Sequence, residues 1–313
     1  METFNNNVQI TQDPILRSNI ENEAMKLVRE AQDNCEKKCS LTEYINPKKQ
    51  RYQKAVQLYQ SSAEKYKLIN EWKRAGMSYE NCGYVMQKLN ENPMPYFQES
   101  YNCYSRALSD ADSRHIVDEM CIHLDKSSDL FTAGNHCENY AMELEKRKNY
   151  TDAILFYNKA LDYYDRDVNN DKRQYLMANT EAKLFELMTN NSHPDAPTRV
   201  PKMLEDIGTY CLSDPTKQSA AKDYFGKSIL SDIYYNNNMA NTKNNLIKYK
   251  GMDNTFGQSP MYYLCNDIIN SIENNNTNKL KASIQQYRQM NILDPYTSNI
   301  LDKIVEKSKI TEF

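Results

Sequence analysis

The stretch YTDAILFYNKALDYY, Tyr150 to Tyr164, constrains the fold more than any other part of the chain. Its apolar residues fall at Ala153, Ile154, Tyr157, Ala160, Leu161 and Tyr164, steps of three and four that place them on one stripe of an α-helix. The pattern recurs at Tyr52, Ala55, Val56, Tyr59, Ala63 and Tyr66. Weaker copies occur at Phe97, Ser100, Tyr101, Tyr104, Ala107 and Leu108, and at Leu280, Ser283, Ile284 and Tyr287. A small residue followed by a large one a turn later lets a neighbouring helix seat its side chain close to the backbone. Stacked helical hairpins are the expected result.

Composition narrows the classes of function. With 7 Gly and 10 Pro in 313 residues the chain suits helices, and its mean hydropathy of -0.84 is that of a soluble protein. Lys and Arg total 39 against 42 Asp and Glu, so the net charge of -3 gives no electrostatic footprint for nucleic acid. The 24 tyrosines therefore read as packing residues with hydroxyls at the rim, not as base-stacking platforms. No signal peptide, prenylation box, myristoylation signal or run of roughly 18 apolar residues is present. The eight cysteines lack CxxC spacing, which fits reduced thiols and a cytoplasmic location, where sequons such as Asn149-Tyr150-Thr151 carry no meaning.

Six prolines follow a capping residue, at Asp13-Pro14, Asn46-Pro47, Asn92-Pro93, Asp214-Pro215, Ser259-Pro260 and Asp294-Pro295, and mark expected helix starts. Asn-rich runs are expected turns. Helices are expected over 14–39, 47–68, 71–89, 95–112, 114–131, 135–148, 150–166, 172–189, 200–210, 215–235, 239–249, 260–273, 279–290 and 295–308. About fourteen helices and no strand make the chain all-α. The Pro-rich stretch NNSHPDAPTRVP is a candidate hinge. It separates residues 1–195, expected to form a twisted sheet of tetratricopeptide-like (TPR-like) hairpins, from residues 196–313, further hairpins and a helical bundle, within one continuous right-handed superhelical solenoid.

No GxGxxG, GxxxxGK[ST], HExxH or GxSxG motif occurs, so no catalytic residue, cofactor or metal site is assigned. Four dispersed histidines form no constellation, and Cys35 and Cys39 lack two further zinc ligands. In the loop SLTEYIN, Leu41, Tyr44 and Ile45 lie beside Lys37, Lys38, Lys48, Lys49 and Arg51. That mixture suits either insertion into an anionic membrane surface or a loop folded onto the first hairpin.

Four segments, in order, resemble the soluble NSF attachment proteins (SNAPs), the alpha type in particular, over about residues 21–309. They are NEWKRAG (Asn70 to Gly76), FTAGNHCENYAMEL leading into NYTDAILFYNKALDYYDRD (Phe131 to Asp167), SAAKDYFGKSIL (Ser219 to Leu230), and Ser283-Ile284 with Tyr287 through Leu293-Asp294. The resemblance implies a non-enzymatic adaptor with no cofactor, monomeric alone and present in several copies on an assembled SNARE four-helix bundle. Such an adaptor rests an apolar loop on the membrane peripherally and recruits and stimulates the NSF-type AAA ATPase during vesicle-mediated transport and membrane fusion. It further implies a SNARE-facing set at Lys73, Arg74, His136, Lys172 and Arg173, where His136 stands in place of a lysine. An NSF-facing set is implied at Asp267, Glu273, Asp294, Glu306 and Glu312, and the membrane loop at Leu41, Tyr44 and Ile45.

The chain departs from the family in three places. Its loop lacks the paired phenylalanines, Asn270 and Asn274 thin the acidic surface, and Lys309-Ile310-Thr311-Glu312-Phe313 replaces an acidic tail with a penultimate leucine. A general helical-repeat scaffold that holds a peptide or helical partner in a groove is the alternative.

Overall fold

The computed structural model describes residues 13–36, 47–236 and 238–310. Among them are fifteen α-helices, one 3-10 turn and no strand, which bears out the all-α expectation. The chain divides into two compact units, the first ending at His136 and the second beginning at Cys137.

The first unit contains α1 (Pro14–Glu36), α2 (Pro47–Leu68), α3 (Trp72–Lys88), α4 (Met94–Arg106), α5 (Asp110–Lys126) and the start of α6 (Leu130–Lys146). Each of α1 to α4 packs on the next helix in sequence. The stripe of α2 is buried as expected, with Ala55 and Ala63 fully enclosed beside Tyr59 and Tyr66. Close packing follows from small residues: a Cβ on Gly83 would stand 2.3 Å from the Phe97 ring, and Ser100 Oγ donates to the Gly76 carbonyl at 2.9 Å. The Tyr104 hydroxyl of α4 donates to Glu80 of α3 at 2.5 Å, a charge-assisted bond that ties the rim of one helix to its neighbour. Buried Cys82 donates from Sγ to the Val56 carbonyl, and burial pushes its thiol up to about 12, so it stays an unreactive thiol.

A turn unreadable in the sequence links helices of this unit and recurs in the next. Asn70, Asn90, Leu108, Ser128 and Lys148 have positive φ, each two residues past a helix end. The amide that follows each reaches back across the turn, as in Glu71 N to Tyr66 O and Asn149 N to Leu144 O, both at 2.9 Å. This is the Schellman arrangement, here without the usual glycine. Leu108, expected on the α4 stripe, is one of these left-handed residues and is 76% exposed, so the stripe ends before it.

The second unit holds the rest of α6, then α7 (Tyr150–Arg166), α8 (Arg173–Asn190), α9 (Ala196–Ser213), α10 (Ala221–Tyr235), α11 (Met239–Met252), α12 (Asn254–Gly257), α13 (Pro260–Glu273), α14 (Thr277–Met290) and α15 (Pro295–Ile310). Helix α10 is its hub, packing against α9, α11, α12, α13 and α15. It is accordingly buried on most sides. Phe225 stacks on Tyr249 with centroids 4.7 Å apart and meets Phe256 edge-on. Buried Asp232 accepts from the Thr242 hydroxyl at 2.9 Å, and Ser231 shares a hydrogen bond with Tyr296 at 2.7 Å. Those polar groups are satisfied, so the hub holds one register against its neighbours.

Ser259 and Asp294 cap α13 and α15 as expected, accepting from the amides of Tyr262 and of Tyr296 and Thr297. Asp214-Pro215 does not start a helix. Asp214 accepts from both the amide and the hydroxyl of Thr216, which closes a local turn, and a 3-10 turn over Gln218–Ala220 precedes α10. The short α12 was not expected. Asp253 caps it by accepting from the Thr255 amide at 2.8 Å.

Candidate interaction surfaces

Five cationic or histidine positions were implied for partner binding, and the structure treats them unequally. Lys73, in the first turn of α3, pairs with Asp112 of α5 at 2.8 Å. Arg74 pairs with Glu21 of α1 and lies over the Tyr66 ring. Arg173 opens α8 and pairs with Asp165 of α7. Lys172 is exposed at the α8 N-cap, and its ammonium has no ion-pair partner among the described residues. His136 is half-buried in α6, and burial lowers its pKa against the opposing pull of Asp129, so the neutral imidazole is favoured. At that position the chain offers a polar ring where a lysine would offer a charge.

The implied acidic set is equally mixed. Glu273, at the end of α13, pairs with Lys243 of α11. Asp294 pairs with Lys227 at 3.2 Å while capping α15. Burial raises its pKa, yet the Thr297 hydroxyl and Lys227 together hold it below the ordinary carboxylate value. Asp267 is half-buried on α13 and Glu306 is exposed on α15, neither with an ion-pair partner among the described residues. Leu41, Tyr44, Ile45 and Glu312 lie outside the described residues.

Within the second unit, a groove of about 610 Å³ runs between α6 and α8. Glu138 and Glu145 line it from α6, and Tyr175, Asn179, Lys183 and Glu186 from α8. Two tyrosines of α7 fix the α6 carboxylates: Tyr164 donates to Glu138 at 2.9 Å and Tyr157 to Glu145 at 3.0 Å. Lys183 pairs with Glu138 at 2.7 Å. Burial raises the Glu186 pKa, with Lys227 opposing and Asp294 and Glu145 adding to the rise. Three carboxylates facing one ammonium make the groove acidic. The i, i+7 spacing of Glu138 and Glu145 on one helix was the available sequence signal, since two full turns return a residue to the same face.

Among the described residues no group of His, Cys, Asp and Glu is arranged to hold a metal, and no described helix is long and apolar enough to cross a membrane. The family model for soluble NSF attachment proteins matches residues 22–310, which takes in α2 to α15 and α1 from residue 22 onward. The chain belongs to the soluble NSF attachment protein family. Two relatives show how far the likeness runs. The alpha-soluble NSF attachment protein of Vitis vinifera is 22% identical over 84% of this chain and 88% of its own length. That of Homo sapiens is 22% identical over 91% and 94%. Among solved structures, BtubC from P. vanneervenii aligns over 88% of this chain and 94% of its own, with 12% identity and a TM-score of 0.32. Within this SNAP-family match, the stretch SAAKDYFGKSIL lies on the hub α10 and the turn before it.

Proposed function

We propose that this protein is an adaptor that coats an assembled SNARE bundle and recruits an NSF-type ATPase to it, with no catalytic step of its own. The observation that carries the reading is the family match from residue 22 to 310, unbroken through both units. In this reading the protein acts in the cytoplasm, monomeric when alone and in several copies on the bundle. Leu41, Tyr44 and Ile45 touch lipid, and Asp267, Glu273, Asp294, Glu306 and Glu312 face the ATPase.

Charge decides which residues anchor the bundle. Surface ion pairs such as Lys73 with Asp112 contribute at most about 1 kcal/mol, so a partner carboxylate can recruit either cation at little cost. Lys172 needs no pair opened and is the leading SNARE anchor, with Lys73, Arg74 and Arg173 secondary and His136 a hydrogen-bonding contact. Long-range steering of this kind weakens as salt shortens the Debye length.

The test is capture of a ternary complex of this protein, an assembled SNARE bundle and the ATPase. Lys172→Glu is expected to weaken SNARE binding more at low salt than at high salt, and failure of the unaltered protein to form the complex rejects the reading. The acidic groove between α6 and α8 favours a second reading, a scaffold that takes a basic peptide. Capture of such a peptide without any ATPase, lost in Glu145→Gln, would support that alternative.

A further inference from the structure

The groove between α6 and α8 follows α8 from Tyr175 to Asn190, a run of about 22 Å at about 1.5 Å per residue. Extended chain rises about 3.3 Å per residue, so roughly six residues fit along it. Leu176, Ala182 and Leu187 supply apolar wall between its charged groups. A segment lying there would meet both kinds of surface.

The charges of the groove do not balance. Lys183 is the one cation among its described lining residues, and it is committed: its Nζ pairs with Glu138 Oε1 at 2.7 Å, while Glu138 Oε2 accepts from the Tyr164 hydroxyl. Glu145 accepts from the Tyr157 hydroxyl through Oε2 at 3.0 Å, and its Oε1 has no partner among the described residues. Glu186 has neither a hydrogen bond nor an ion pair among the described residues. Lys227, the cation that offsets the burial of Glu186, is itself held by Asp294 at 3.2 Å. The Glu145 charge adds to the rise in the Glu186 pKa, so the carboxylates of α6 and α8 repel across the groove. A cation brought by a partner relieves that repulsion, and none of the chain's own lining cations is left to do so.

We infer that this groove receives an extended segment of a partner protein carrying one arginine between apolar residues, its guanidinium shared by Glu145 and Glu186. The inference rests on the second reading above, that the groove takes a basic peptide, and narrows it to arginine. Five N–H donors in a planar fork can serve two carboxylates from different helices at once, whereas the ammonium of lysine is compact and strongly hydrated. The apolar neighbours of the arginine then lie against Leu176 and Leu187.

Calorimetric titration of the full chain tests the assignment with blocked six-residue peptides that differ only at one central position, arginine, lysine or citrulline between leucines. The arginine peptide should bind saturably at one site. The lysine peptide should bind about tenfold more weakly, a difference of about 1.4 kcal/mol, and the citrulline peptide, which keeps the shape without the charge, should not bind. Glu186→Gln and Glu145→Gln should each weaken the arginine peptide about tenfold with unchanged helical circular dichroism. Lys183→Met, which frees Glu138 of its ammonium, should tighten it severalfold, a gain that a disturbed fold would not give. Equal affinity for arginine and lysine overturns this assignment while the basic-peptide reading stands. Binding of neither peptide rejects both. Arginine binding that survives both glutamine substitutions also overturns the assignment.

Discussion

The two units solve the same packing problem differently. In the first, each helix up to α5 meets chiefly its neighbours in sequence, through turns of one geometry that recurs in the second unit at Lys148, Ser192 and Asn275. In the second, α10 lies among five other helices, and its connections include a 3-10 turn and a four-residue helix. A nearest-neighbour stack can tolerate a loosened helix because few others depend on it. A hub cannot. The buried Asp232 network sits on that hub.

The largest test removes the hub's central ring. Phe225→Ala leaves a cavity among Tyr249, Phe256 and Gly208, and is expected to cost about 3–5 kcal/mol in urea unfolding. Trp72, the chain's one tryptophan, lies in the first unit and reports on that unit separately. Its fluorescence transition should stay put while the circular dichroism transition moves. Coincident movement of both signals would show a single cooperative body in place of two.

Gly83→Ala probes the stack in the same way. The added methyl meets the Phe97 ring, and overpacking of this kind costs about 1–3 kcal/mol. Here the Trp72 transition should move first.

Glu181, on α8, gives the second unit a pH dependence. Burial and then Asp206 push its carboxyl up to about 8, against Lys202 and Arg199. Its pKa is raised on folding from 4.5, so the stability it contributes is complete below pH 4.5 and is lost as pH rises through 8. Glu181→Gln should therefore be neutral at pH 4 and stabilising at pH 9. Part of the side chain meets water, so the gain is on the order of 1–2 kcal/mol. A pH-independent effect in thermal melts would contradict this.

The smallest effect tests the turns. Leu108→Gly should raise stability by about 0.5–1 kcal/mol, because glycine relieves the left-handed backbone and the exposed leucine loses little contact.

Some of this was legible in the sequence. Tyr59, Ala63, Tyr157 and Ala160 mark buried stripes because burial and helical period leave a direct pattern of residue types. Caps at Ser259 and Asp294 were legible for the same reason, since the side chain acts on amides two or three residues away. The Schellman turns were hidden because leucine, serine and asparagine occupy positions where glycine is the usual signal. The pairing of Lys73 with Asp112, and of Arg74 with Glu21, could not be read because each partner lies on a different helix. The same holds for the groove, which exists only once α6 and α8 are brought together.

The adaptor reading is tested most directly by a disassembly reaction containing a fluorescently labelled SNARE bundle, an NSF-type ATPase, ATP and this protein as sole adaptor. The account predicts ATP-dependent loss of bundle signal that requires this protein and falls with Lys172→Glu. No disassembly across cognate SNARE sets and motors, from a folded protein, would contradict it.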